Sequence, residues 1–340
     1  MHMQTTREKK QLWIILLIVL ISFVGSSIVY PILPPLFLQS TDQLIISPEW
    51  SETGRRILLG LTLAIFPLGQ FIGAPILGRN SDLYGRKKIL VLSLAGSVLG
   101  YVLTVIAFWI NSFWLLLFSR FLTGFMEGTF AVARALASEL TTINKFVSFG
   151  RINSMAGVGY IIGPIIGGLL SNSQLVPWFS WSFPFTVAAL ASVITLGLAW
   201  WKLPEHKATR TPQKESILRQ LNIIQQFKLL LQQHPHLKPL LIISTLFTFA
   251  VDMFYEFGPV YLAGKWLMSP SMIALYNAVL SAALAIGASW LPRLLSKHLP
   301  IHKIIILAML ATTLIFAAMI ALQNPIAMFF FFALIGFSIT

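Results

Sequence analysis

The chain is 340 residues long, 56% hydrophobic and only 10% charged. Soluble domains carry about 25% charged residues, so this chain has too little polar surface to face water as a globule. Its formal net charge of +13 would point to nucleic acid in a soluble protein, but the placement of the cations gives them another role. The absence of cysteine excludes disulfides, thiolate metal sites and cysteine nucleophiles. All six histidines (His2, His206, His234, His236, His298 and His302) fall in expected tails or loops, so neither a metal centre nor a cofactor is expected.

Ten apolar stretches follow in order. They are roughly Leu12–Leu38, Ile57–Leu77, Ile89–Phe108, Ser112–Ala137, Gly150–Leu170, Phe183–Leu203, Leu237–Ala263, Ser271–Leu294, Ile304–Leu322 and Pro325–Thr340. A helix needs about 20 apolar residues to cross a bilayer, and the first nine are long enough. The tenth has 16. The first is too long for a signal-peptide core and lacks a small-residue cleavage pattern, so it is read as a span. The expected class is an all-α membrane protein.

Lysine and arginine predict the orientation. The N-terminal tail and alternate loops hold 19 of them, including Arg7, Lys9 and Lys10, then Arg79, Arg86, Lys87 and Lys88, and seven within residues 202–238. The opposite loops hold only Arg55, Arg56 and Lys265. That bias predicts a cytoplasmic N-terminus. The basic excess is topogenic, and no nucleic-acid partner is expected.

Six spans, a polar loop and four spans predict two helical bundles: residues 1–203, then a cytoplasmic loop at 204–236, then an incomplete four-span bundle at 237–340. Within the loop, Ile217, Leu218, Leu221, Ile224, Phe227 and Leu231 recur at helical spacing. They predict an amphipathic helix on the cytoplasmic membrane face, or a plain linker helix.

Span one holds Gly25, Pro31 and Pro34. The loop between spans two and three carries Gly78, Asp82, Gly85, Arg86, Lys87 and Lys88, with glycines for tight turns and cations for the inner face. Span four places Arg120, Glu127 and Arg134 seven residues apart, nearly two turns each, so the three are expected on one helix face. A charge facing lipid costs about 2.5–3.5 kcal/mol, so that face should look into the bundle or a wet cavity. A structural ion-pair ladder is the alternative reading. Glu139 follows at the cytoplasmic end of the same span.

Span five contains Gly150, Gly159, Gly163, Pro164, Gly167 and Gly168. Gly159, Gly163 and Gly167 recur every four residues and form a smooth face for a neighbouring backbone. Pro164 has no N–H for the carbonyl of Tyr160, so the span should bend or soften there. Span seven places Asp252 and Glu256 one turn apart. Two carboxylates about 6 Å apart repel in a low-dielectric setting, so one of them is expected to hold a proton at physiological pH. A position near the outer mouth is the alternative, chiefly for Glu256.

The span-five spacing resembles the signature of drug:proton antiporters in the major facilitator superfamily, and the Gly25, Pro31 and Pro34 pattern resembles the first-span motif of their twelve-span branch. The loop from Gly78 to Lys88 is similar to the superfamily's signature loop, and residues 78–205 read much like the N-terminal half of tetracycline exporters. The resemblance implies a major facilitator fold of two bundles and a relay of Asp82, Arg86 and Glu139 that gates the cytoplasmic side. It also implies a cavity lined by spans one, four, seven and ten. Arg120 with Gly124 resembles the span-four motif, whose arginine is linked to proton transfer.

The implied function is proton-coupled efflux of a small amphipathic or cationic compound by a monomer in the inner membrane, with Arg120, Glu127, Asp252 and Glu256 in the cavity. Its partners are the cargo, protons and the lipid bilayer. The open alternatives are proton-coupled uptake or export of a metabolite or siderophore, and an inactive truncated transporter. No nucleophile–base pair or nucleotide loop supports an enzyme. Two departures count against tetracycline as cargo: span one has no acid, and Gly100 stands where those exporters place a span-three aspartate.

Overall fold

A computed structural model describes residues 2–39, 45, 50–173, 175–205, 231–233 and 237–339. Its helices run α1 (His2–Ser27), α2 (Leu33–Leu38), α3 (Glu52–Tyr84), α4 (Arg86–Trp109), α5 (Phe113–Met126) and α6 (Thr129–Ser138). They continue as α7 (Lys145–Leu170), α8 (Phe183–Lys202), α9 (Leu237–Trp266), α10 (Pro270–Leu295), α11 (Ile301–Ala321) and α12 (Pro325–Ser338). Among the described residues, nine helical stretches are long and apolar enough to cross a membrane, and α12 is a shorter apolar helix. The amphipathic stretch expected in the 204–236 loop lies outside the described residues for 206–230.

Local chemistry explains several helix ends. Ser51 Oγ accepts from Gly54 N–H at 3.1 Å and caps α3. Ser112 Oγ does the same for α5, and Asn324 Oδ1 for α12. Gly85 separates α3 from α4 at φ 103°, a backbone conformation that needs glycine.

Two expected spans are broken. Span one stops at Ser27 and resumes at Leu33, because Pro31, Pro34 and Pro35 offer no N–H to a continuous ladder. Span four breaks between Met126 and Thr129, where the Glu127 N–H turns back to Gly124 O at 3.0 Å. Of the three charges expected on one face, Arg120 and Glu127 lie in the interior and Arg134 lies beside two cavity-lining residues, Phe130 and Asn153. Arg120 and Glu127 are buried, while Arg134 is exposed, lies 4.6 Å from the Phe130 ring centroid and donates to Asn153 Oδ1 at 2.7 Å.

Packing follows glycine. α1 lies along α7, α3 along α5, and α4 along α8. α10 packs on both α7 and α12, and so joins the last helices to the first six spans. The α3–α5 seam uses Gly69 and Gly73 against the backbone of Phe121 and Phe125, and Gly124 against the backbone of Phe66. Three apolar clusters hold the helices together. One, around Leu12, Leu90 and Leu136, lies at the basic end of the first six spans. A second, around Ile32, Leu63 and Phe185, lies at their opposite end, and the third, around Leu262, Leu280 and Phe332, joins α9, α10 and α12.

Candidate functional site: an acidic and aromatic cavity

Between the first six spans and the later helices lies a cavity of about 550 Å³. Its walls come from α1, α3, the α5–α6 break, α7, α9 and α10. Three carboxylates line it: Glu127, Asp252 and Glu256. Glu127 sits at the break in span four, which aims the residue inward. It is 5% exposed, and its Oε1 has no hydrogen-bond partner among the described residues. A buried carboxylate oxygen without a partner is costly, so this position gains by taking either a proton or a cation. Asp252 is more exposed than Glu256. Glu256 reaches across to the first spans, where Tyr30 Oη donates to its Oε1 at 3.3 Å.

Aromatic rings form the rest of the wall. Phe23 meets Phe130 edge-on at 5.1 Å and Tyr160 at 5.2 Å, and Tyr160 meets Tyr255 at 6.3 Å. This row links α6, α1, α7 and α9. Rings beside carboxylates suit an organic cation, because the ring faces and the acids attract the same charge. Arg120 does not line the cavity. It is buried behind Phe66, with its guanidinium 4.4 Å from that ring's centroid, and its charge acts on Tyr101, Glu256, Tyr30 and Glu127.

The sequence motifs occupy separate places. Gly159, Gly163 and Gly167 lie against the backbone of α1, while Gly168 faces Pro270 and Ala274 of α10. Gly150 has open space beside it. α7 stays helical through Pro164, and the Tyr160 carbonyl that this proline leaves free accepts from Ser281 Oγ of α10 at 3.3 Å. Gly25 makes room for the Tyr101 ring, Pro31 lies in the turn after α1, and Pro34 opens α2.

At the basic end, Arg86 ion-pairs with Asp82, bonds Glu139 Oε1 at 3.1 Å and Ser81 Oγ at 2.7 Å, and thereby ties α3, α4 and the end of α6 together. Gly78 has open space beside it, and Lys87 is half-buried. Sequence reasoning missed Tyr30, Tyr160 and Ser281. Only the proline-freed carbonyl hinted at any of them.

A helical protein with nine candidate spans among its described residues and a cavity between two groups of helices has the architecture of a secondary carrier. The chain belongs to the Major Facilitator Superfamily, whose profile matches residues 15–340. It is 33% identical over 214 residues to the class H tetracycline resistance protein of Pasteurella multocida, covering 61% of this chain and 49% of that protein. It is 27% identical over 160 residues to a probable triacylglyceride transporter of Mycobacterium bovis (strain BCG / Pasteur 1173P2), covering 46% and 30%. The chain spans about half the length of the curated relatives it matches.

Two solved structures share its fold. One is a bacterial homologue of the human lysosomal transporter Spinster, inward-facing and unoccupied, with TM-score 0.70, 15% identity, and coverage of 98% of this chain and 73% of that one. The other is the human organic anion transporter MFSD10, with TM-score 0.68, 17% identity, and coverage of 97% and 83%.

Proposed function

We propose that this chain is a proton-coupled antiporter that exports a small amphipathic or cationic compound across the cytoplasmic membrane as a monomer, with its N-terminus in the cytoplasm. The observation that carries this reading is the cavity itself, where three carboxylates share one wall with a row of aromatic rings. An organic cation and a proton would compete for the same acids, which is the minimum an exchange mechanism needs. Similarity to tetracycline resistance proteins supports export as the direction. Tetracycline itself is not the proposed cargo. A Cβ at Gly100 would sit 3.1 Å from Thr123 Cγ2, so this position faces span four and an acid there would press on its neighbours.

The test uses protein reconstituted in liposomes with an imposed pH gradient and a fluorescent organic cation such as ethidium. Proton-driven movement of the dye, abolished by collapsing the gradient, is the expected result. Dye flux indifferent to the gradient refutes the antiporter reading, and co-directional movement of dye and protons identifies an uptake symporter.

Asp82 should matter in a different way from the cavity acids. It grips Arg86 at the basic end, well away from the cavity, so Asp82→Ala loosens the contact between α3, α4 and α6 without touching cargo. The maximal rate should fall by about tenfold or more with the half-saturating dye concentration nearly unchanged. An unchanged maximal rate removes the gating role.

A further inference from the structure

We infer that Gln39 closes the outer end of the cavity by capping α9 from the other half of the molecule, and so sets how often the cavity opens outward. The outer end is the one opposite the basic loops, and the inference rests on the transport reading above. Gln39 follows α2 and is half-buried. Its Nε2 donates to Ala263 O at 2.9 Å and to Met268 O at 3.0 Å, so both amide protons are used.

The acceptors explain why an amide stands here. Ala263 is fully buried and belongs to the last turn of α9, whose final four carbonyls lack intrahelical partners. Leu267, at φ 50°, then turns the chain out of the helix, and the Met268 N–H bonds back to Leu262 O at 3.4 Å. Ala263 O is thus left for a donor from outside the helix, and Gln39 supplies it. Beside it, Leu38 packs on the apolar clusters of both halves.

A second contact closes the same end between α7 and α10. Asn172 Nδ2 donates to Ser271 Oγ at 3.0 Å, and Ser271 Oγ donates to Gly168 O at 3.0 Å. Both contacts lie outward of the Tyr30–Glu256 bond, so cargo leaving outward requires them to part. Their chemistry suits repeated opening. Water can replace each hydrogen bond when the gate parts, so the net preference for closure is modest and reversible.

The chain contains no cysteine, so Ser26→Cys, a position lining the cavity, reports access on its own. A membrane-impermeant maleimide is applied to right-side-out and to inverted vesicles, without cargo or a pH gradient. Gln39→Leu keeps the bulk and removes both donors, and should raise outside labelling about tenfold while inside labelling holds or falls. Gln39→Glu, whose carboxylate has no proton to donate at neutral pH, should do the same. An outside rate for Gln39→Leu within about twofold of the parent overturns the inference. An equal rise on both sides also overturns it, because that is general loosening rather than a gate. The readout needs no proton coupling, so its failure and the failure of the antiporter reading are separate results.

Discussion

Gly163→Leu should abolish transport while the protein still inserts and accumulates in the membrane. A Cβ at this position would lie 2.6 Å from the Val24 carbonyl oxygen and collide with Ser27 Oγ. Neither obstacle can yield easily. Val24 O is backbone, and Ser27 Oγ is held by Phe23 O at 2.6 Å and Gly159 O at 3.2 Å. Gly159 and Gly167 approach α1 as closely, so displacement at Gly163 cannot be absorbed along the seam and must move one whole helix. Overpacking costs about 1–3 kcal/mol where side chains can adjust, and more is expected where backbone blocks backbone.

Insertion should survive, because leucine favours the bilayer at any depth. Dye export measured at matched membrane abundance decides it. Wild-type export by Gly163→Leu removes the seam's functional role. Gly150→Leu is the internal control: it lies in the same spacing pattern beside open space, and export should stay near the parent rate.

That contrast shows how far the sequence was legible. Spans could be read because apolar length and cation placement are written locally, residue by residue. The α1–α7 seam could be read because one helix carries its whole period, Gly159, Gly163 and Gly167. The α3–α5 seam could not, since Gly69 and Gly73 on one span and Gly124 on another form a pattern only once the spans are side by side. Helical spacing placed Arg134 in line with Arg120 and Glu127, but burial depends on neighbouring spans, and Arg134 ends exposed against Phe130 and Asn153. Pro164 announced a free carbonyl at Tyr160, but its taker, Ser281, lies 121 residues away. Gln39 and Tyr30 read as ordinary residues at a helix end, and their partners sit on α9 and just past its end.

Glu256→Gln should abolish pH-driven export while cargo exchange without a gradient persists, and Glu127→Gln should weaken both. Spacing alone treats Asp252 and Glu256 as a pair, and both line the cavity, but their surroundings differ. Asp252 stands exposed on α9, whereas Glu256 accepts from Tyr30 in the turn after α1 and lies within the field of Arg120. A proton arriving at Glu256 removes its charge and weakens its attraction for the first half of the molecule. The group that binds the proton is then also a contact between the halves, which is what coupling requires. Among the described residues Asp252 has no such bridge, so Asp252→Asn should slow pH-driven export only severalfold.

Glu127 differs again. It is buried with an unpartnered oxygen in the cavity wall, positioned to meet the cargo's positive charge, so neutralising it should cost binding as well as drive. In reconstituted vesicles, Glu256→Gln is expected to lower pH-driven dye export by about tenfold or more, with exchange of labelled for unlabelled dye near the parent rate. Glu127→Gln should lower both, chiefly by raising the dye concentration needed for half-maximal exchange. If Glu256→Gln and Glu127→Gln, singly and together, leave gradient-driven export intact, the proton travels by another route and the coupling role of these acids falls.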